Sequence, residues 1–278
     1  MTLDRLHGPK ELILHRLAQK AIHRLRNPWI EIRRDPIIVL GNQKSGTSAI
    51  ASLLADFGGL SKTIDIPPLW GRKGARIMRG EQRFADTVLR NKRYFASELI
   101  KEPFMTFFSD QVIEVFPDAR FVMIIRDPRE NIRSLLNSRG LPTNTMEVDK
   151  SLFAEVKSRY PAILDPDIWG GDGEDYISIL ARRWNKAADT YLARPDSMIL
   201  VRYEDFILDK YALIRSVAQN LGVDEKDDIS AKLDIQYQPR GLSNRRWLEV
   251  FGEQNLATRD QICGDRLLEF GYTLSDTD

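Results

Sequence analysis

The chain has 278 residues, enough for one large domain, and its 42% hydrophobic and 29% charged composition is that of an ordinary globular fold. Its 41 Lys and Arg against 40 Asp and Glu leave a formal charge of +1, so an extended nucleic-acid surface is not implied and only small basic pockets are. A single cysteine, Cys263, excludes an intramolecular disulfide and a Cys-rich metal site, and fits a reducing, cytoplasmic compartment.

No apolar run approaches the roughly 18 residues of a membrane span, and no compact apolar segment marks a secretory signal. Residues 1–34 read as a helical extension. Within 10–26, Leu14, Leu17, Ala18, Ala21, Ile22 and Leu25 line one helical face and basic residues the other. Such a helix packs on the domain or a second copy of the chain, or touches a membrane surface. His7, His15 and His23, the only histidines, all lie in this extension, so a general base elsewhere is expected to be a carboxylate.

Residues 35–278 read as one α/β domain. "DPIIVLG" (35–41) is a short apolar run typical of a buried strand, followed by a helix over 46–57 that ends at Gly58 and Gly59. "RYFASELIK" (93–101) predicts a second strand, and 107–117 a helix capped by Ser109 or Asp110 and stopped by Pro117. "ARFVMIIRD" (119–127) and "SMILVRYED" (197–205) predict further strands, each leading into a helix. Strands apolar on both faces and alternating with helices indicate a three-layer fold, a central parallel sheet flanked by helices, with ligands at the carboxyl ends of the strands. Residues 138–175 depart from this rhythm, with one helical stretch near 150–159 and a Gly/Asp-rich tip at 170–173. They read as a surface insertion or a substrate flap.

Two segments carry anion chemistry. In "VLGNQKSGTSAI", Gly41 and Gly46 have the spacing of a nucleotide-binding P-loop, yet Thr47 stands where its lysine belongs and Lys44 lies two residues before Gly46. Gly46 lets backbone approach a ligand, the helix start aims N–H groups at an anion, and Lys44, Ser45, Thr47 and Ser48 add a charge and three hydroxyls. In "IIRDPRENIRSLL" (124–136), Arg126 ends a strand and Ser134 follows eight residues later on the next helix. That pair could grip one phosphate, or Arg126 could pair with Asp127 or another carboxylate. Two such sites on one sheet favour a ligand with two separate phosphate-like groups.

These segments together resemble the paired signatures of sulfotransferases that use 3′-phosphoadenosine 5′-phosphosulfate (PAPS). The resemblance implies a P-loop-type α/β fold, the early-lysine loop on the phosphosulfate end of the donor, and Arg126 with Ser134 on its 3′-phosphate. It also implies a donor that needs neither a Walker lysine nor a metal. "IKEPFMTFFSDQVIEVFPDARFVMIIRDPR" (100–129) is similar to tyrosylprotein sulfotransferases and bacterial relatives, and "VRYEDF" (201–206) resembles a recurrent family segment. By that likeness Tyr203 lines the nucleotide site, and Arg246 and Trp247 belong to a late loop near the 3′-phosphate or adenine, where Arg245 replaces a smaller residue.

The resemblance implies sulfuryl transfer from PAPS to a hydroxyl or amine acceptor, releasing 3′,5′-ADP. Lys44 would stabilise the leaving phosphate, and Lys101 matches the catalytic lysine of the tyrosylprotein branch. Asp65, in "SKTIDIPPLW", stands 21 residues after Lys44, as the catalytic glutamate of that branch stands from its loop cation. It is the first candidate for the base, with Glu81 and Glu102 behind it. Trp70 and Trp169 are candidates for an acceptor wall. A small-molecule kinase using Mg-ATP and a non-catalytic nucleotide-binding protein are the competing readings, and the acceptor class is open.

Overall fold

The computed structural model describes residues 27–144, 150–170, 175–235 and 246–274. The amphipathic stretch 10–26, the three histidines, Arg245 and most of the Gly/Asp-rich tip lie outside them. Strands β1 (Ile37–Gly41), β2 (Lys62–Ile64), β3 (Leu99–Lys101), β4 (Arg120–Ile125) and β5 (Met198–Arg202) form one parallel sheet in the order β2-β3-β1-β4-β5. Among the described residues, the helices of ten or more residues are α1 (Thr47–Phe57), α2 (Pro128–Asn137), α3 (Lys150–Arg159), α4 (Tyr176–Leu192), α5 (Lys210–Asn220) and α6 (Glu253–Glu269).

The strands read as continuous apolar runs because both faces are covered. Ile37, Val39, Val122 and Ile124 pack with Ile50 and Leu54 of α1 and Val217 and Ala218 of α5. The alternate residues Ile38, Leu40, Met123 and Ile125 join a larger core with Leu180 and Trp184 of α4 and Cys263 and Leu267 of α6. This is the three-layer arrangement expected from the sequence. The segment 138–175 holds α3 and the short helices Pro161–Leu164 and Pro166–Trp169, with Phe153, Val156, Ile163 and Trp169 in the larger core.

From β1 the chain winds out to β2 and β3 and then crosses to β4 and β5 on the other side. The carboxyl ends of β3, β1 and β4 therefore border the point where the winding reverses, the usual place for a ligand in an open parallel sheet.

Three local expectations need correction. The strand expected over 93–101 is confined to Leu99–Lys101, because Lys92–Phe95 forms a 3₁₀ turn. Phe95 is apolar there to fill the core, where it meets Phe84 edge-on (5.7 Å) and stacks on Phe116 (6.0 Å). Neither Ser109 nor Asp110 caps the helix over Ser109–Val115, since a 3₁₀ segment, Pro103–Phe108, runs straight into it and Phe108 holds the cap position. The edge strand β2 was not foreseen, being three residues long and partly exposed.

Gly41 ends β1 at φ 140°, and a Cβ there would lie 2.5 Å from the Ile124 carbonyl oxygen of β4. Neither backbone can yield without parting β1 from β4. Gly41→Ala should therefore cost about 3 kcal/mol of stability, read as a lower midpoint in urea unfolding.

Candidate active site

At the end of β1 a hydroxyl from elsewhere fixes the start of the loop. The Gly41 N–H donates to Thr106 Oγ1 (2.8 Å), and the same hydroxyl donates to the Gly41 carbonyl (3.2 Å). The loop then turns through two left-handed residues, Lys44 (φ 69°) and Gly46 (φ 86°). Gly46 precedes α1, which has no side-chain cap, so its first N–H groups are free to serve an anion. A side chain on Gly46 would collide with the ring of Tyr203. Thr47 is buried, with its methyl beside Gly41, and Ser48 is half-buried at the first turn of α1.

The second motif touches the first. Arg126, at the end of β4, donates to the Lys44 carbonyl (2.8 Å) and to Glu130 Oε2 (2.8 Å), and its guanidinium lies 4.4 Å from the centre of the Tyr203 ring. Its Nε is buried without a partner among the described residues. Asp127 takes a different arginine: it caps α2 through the Arg129 N–H (2.7 Å) and pairs with the Arg129 side chain (2.6 Å). Glu130 also holds Arg133 (2.7 Å). Ser134 follows Glu130 by four residues on α2, on the same helical face, so it stands on the side to which Arg126 reaches.

Asn131 joins the two motifs. This buried amide donates to Ser45 Oγ (2.9 Å) and the Gln43 carbonyl (2.8 Å), and its oxygen accepts from Asn42 Nδ2 (2.8 Å). Helix α4 braces the same region: Trp184 Nε1 donates to the Arg126 carbonyl (2.8 Å), and Arg183 donates to the side-chain oxygens of Asn42 and Gln43.

On the other flank, β2 and β3 pair so that Ile64 lies opposite Lys101. Asp65 directly follows, in a left-handed conformation (φ 68°), with its N–H donated to the Lys101 carbonyl (2.9 Å) and its carboxylate accepting from Lys101 Nζ. Lys101 itself stands beside Val39, two residues before the end of β1. Lys101 is buried while the Asp65 side chain is 41% exposed, so the lysine points a solvent-facing carboxylate from below.

Two reserve carboxylates leave contention. Glu102 is fully buried, and accepts from the N–H groups of Ile66 (2.7 Å) and Phe104 (3.1 Å) and from Trp70 Nε1 (2.9 Å). It clamps the Asp65 turn and cannot reach a substrate. Glu81 is occupied on the surface by Arg79 (2.6 Å) and Arg76 (3.6 Å). Trp169 faces inward, edge-on to Phe107 at 4.7 Å, and is core; Trp70 is 46% exposed beside the Asp65 turn. Trp247 of the late loop lies under Arg133 (5.2 Å) and Arg129 (5.5 Å), while Arg246 is exposed.

Burial, with the nearby positive charges of Arg139 and Arg126, pushes the Lys44 ammonium below its usual pKa. An anion in the loop would reverse that penalty. Among the described residues no cluster of His, Cys, Asp and Glu suits a metal ion, and no helix is long and apolar enough to cross a membrane.

The residues missed in the sequence are Asn42, Thr106, Asn131 and Arg183. Asn131 did leave a signal, as a polar residue in line with Leu135 on the buried face of its helix. The others left none, since their partners lie far along the chain.

The model of the sulfotransferase family matches residues 73–228, a stretch that includes Lys101, Arg126, Ser134 and Tyr203 and begins after the opening loop. Protein-tyrosine sulfotransferase 1 of Danio rerio is 22% identical over 247 residues. That alignment takes in 79% of this chain and spans 62% of the length of the fish protein. Among solved structures, sulfotransferase STF9 of Mycobacterium avium superposes with a TM-score of 0.55 at 16% identity, covering 94% of this chain and 82% of its own. A sulfotransferase from Alicyclobacillus acidocaldarius gives a TM-score of 0.51 at 13% identity, covering 87% of this chain and 98% of its own. At these identities the likeness is one of fold.

The Glu102 clamp has a pH signature. Burial raises its pKa from the ordinary 4.5 to about 7, against the opposing pull of its three N–H donors and Lys101. The unfolded chain releases this proton first, so between those values the folded state binds more protons and stability falls as pH rises. Glu102→Gln removes that slope, so the variant's deficit in urea unfolding should shrink between about pH 5 and about pH 8.

Proposed function

The chain belongs to the sulfotransferase family, and on that premise we propose that it transfers a sulfuryl group from PAPS to a hydroxyl or amine acceptor, releasing 3′,5′-ADP. The observation that carries the reading is the contact between the two anion-binding segments. Arg126 donates to the carbonyl of Lys44, and the uncapped start of α1 follows three residues on. The two neighbouring segments suit a donor with phosphate-like groups at both ends. Gly46 lets the Tyr203 ring lie close against the loop, because any side chain there would meet it.

Each residue then has a task. The backbone N–H groups of Gly46, Thr47 and Ser48 and the Lys44 ammonium take the phosphosulfate end, while the Ser45 N–H holds the loop through the Asn42 carbonyl (3.2 Å). Lys44 neutralises charge on the 5′-phosphate as the bond from sulfur to its bridging oxygen breaks. Arg126 and Ser134 take the 3′-phosphate, with Glu130 giving up Arg126 to it, and Tyr203 lines the nucleotide site. As the acceptor oxygen or nitrogen bonds to sulfur in line with the departing phosphate, its proton passes to the Asp65 carboxylate. Lys101 keeps that carboxylate aimed and lends charge to the transferred group. No step calls for a metal. The kinase reading is disfavoured by Thr47, which is buried where a Walker lysine would have to reach out. We also propose a reducing, cytoplasmic setting, with which the single cysteine, Cys263, is compatible.

Calorimetric titration with 3′,5′-ADP, beside Mg-ATP, tests the donor. Wild type should bind 3′,5′-ADP without magnesium, and Arg126→Ala should weaken it by about 10- to 100-fold, the loss of a charged fork. Preference for Mg-ATP, indifferent to Arg126, would end the reading.

The acceptor side is tested separately with radiolabelled PAPS and a panel of phenols, sugars and amines. Asp65→Asn and Lys101→Ala should keep 3′,5′-ADP affinity and lose roughly 10²- to 10⁴-fold in turnover. Full turnover in Asp65→Asn would remove it as the base.

A further inference from the structure

Arg183 lies on α4 with no exposed surface, beneath the opening loop. Its guanidinium donates to Asn42 Oδ1 and to Gln43 Oε1 (3.2 Å), and sits 4.5 Å from the centre of the Phe107 ring and 5.2 Å from that of Trp169. Its Nε has no partner, and among the described residues no carboxylate pairs with it. The other buried arginines differ: Arg129 has Asp127 (2.6 Å), Arg133 has Glu130 (2.7 Å) and Arg259 has Asp260 (2.7 Å).

A buried cation that has no counter-ion among the described residues is costly, and two amide oxygens and two aromatic faces offset only part of that cost. Burial pulls its pKa down to about 9, yet it remains charged at neutral pH. Other positive charge is close. Arg139 repels both Arg183 and Lys44, and Arg139 is itself stacked on Tyr160 (4.3 Å) and, among the described residues, forms no ion pair with an acid. Among the described residues Arg183 and Arg139, on the loop side of the site, pair with no acid, whereas Asp127 and Glu130 hold the arginines of the second motif.

We propose that Arg183 is a positioning residue that acts as the buried counter-charge for the anion in the opening loop, reaching it through Asn42 and Gln43. In the empty protein its charge is a burden. With an anion between the loop and the start of α1 that burden becomes attraction, so part of the folding free energy is converted into ligand affinity. The inference rests on the donor reading only for the identity of the anion.

Three variants separate charge from packing. Arg183→Gln keeps a donor to the loop and removes the charge, Arg183→Lys keeps the charge and loses the fork, and Arg183→Met fills the aromatic slot with an apolar chain. Each is melted without ligand and titrated calorimetrically with 3′,5′-ADP and with inorganic pyrophosphate. The ligand-free melting temperature of Arg183→Gln or Arg183→Met should equal or exceed that of wild type, while affinity falls at least tenfold and Arg183→Lys recovers part of it. A merely structural arginine would lose melting temperature and affinity together, and that outcome overturns the proposal. So does affinity within twofold of wild type in Arg183→Gln. Wild type that binds pyrophosphate but not 3′,5′-ADP removes the donor reading and leaves Arg183 to be judged with pyrophosphate. Wild type that binds neither ends both.

Discussion

A buried amide holds the site together. Asn131 sits on α2 between Arg126 and Ser134, and its side chain is bonded to Asn42, Gln43 and Ser45 of the opening loop. Left unpaired in that dry position, each of those polar groups would cost about 1–3 kcal/mol, so loop and helix keep one arrangement or lose several bonds at once. Arg183 extends the network from below and Trp184 anchors the Arg126 carbonyl, so α4 registers both motifs against the same sheet. The spacing between the two motifs is thereby built into the fold, as the proposed electrostatic catalysis requires of its donors.

The charges around this network are unevenly balanced. Asp127, Glu130 and Glu204 crowd the second motif: the first two neutralise Arg129, Arg126 and Arg133, and Glu204 accepts from the Asp127 N–H (3.0 Å) and Tyr272 Oη (2.7 Å). On the proposed donor reading, a ligand phosphate there competes with a carboxylate for Arg126. At the loop, the charges of Arg139 and Arg126 bear on Lys44, and among the described residues Arg183 has only neutral partners. The loop should accordingly supply much of the attraction for an anion, and the second motif much of the selectivity, since exchange at Arg126 succeeds only for a group that replaces the Glu130 contact well. On the other flank the Glu102 clamp and the left-handed Asp65 turn keep a carboxylate over a buried lysine.

Several features were legible before any coordinates. The strand–loop–helix at Gly41–Phe57, the eight-residue step from Arg126 to Ser134 and the apolar runs of β1 and β4 are all short-range patterns, and each appears where its spacing placed it. The reading of 93–101 as one strand did not survive, since an aromatic-rich run looks alike whether it lines a strand or a turn that feeds the core. The edge strand β2 was invisible for the complementary reason: it is too short and too exposed to leave a hydrophobic period.

The sequence by itself determined the fold class and the positions of the two motifs, the glycine loop before α1 and the step from Arg126 to Ser134, because these rest on patterns within about ten residues. Only the tertiary structure decided how they meet. Asp65 and Lys101 are 36 residues apart, Asn42 and Asn131 are 89 apart, and Asn42 and Arg183 are 141 apart. Parallel strand pairing and the burial of α4 bring each pair together, and neither leaves a local period in the chain. The same packing spent Glu102 on a backbone clamp and Trp169 on the core, as composition alone could not have told. A side chain's chemistry is set by its type, but its availability is set by what long-range packing leaves unpaired.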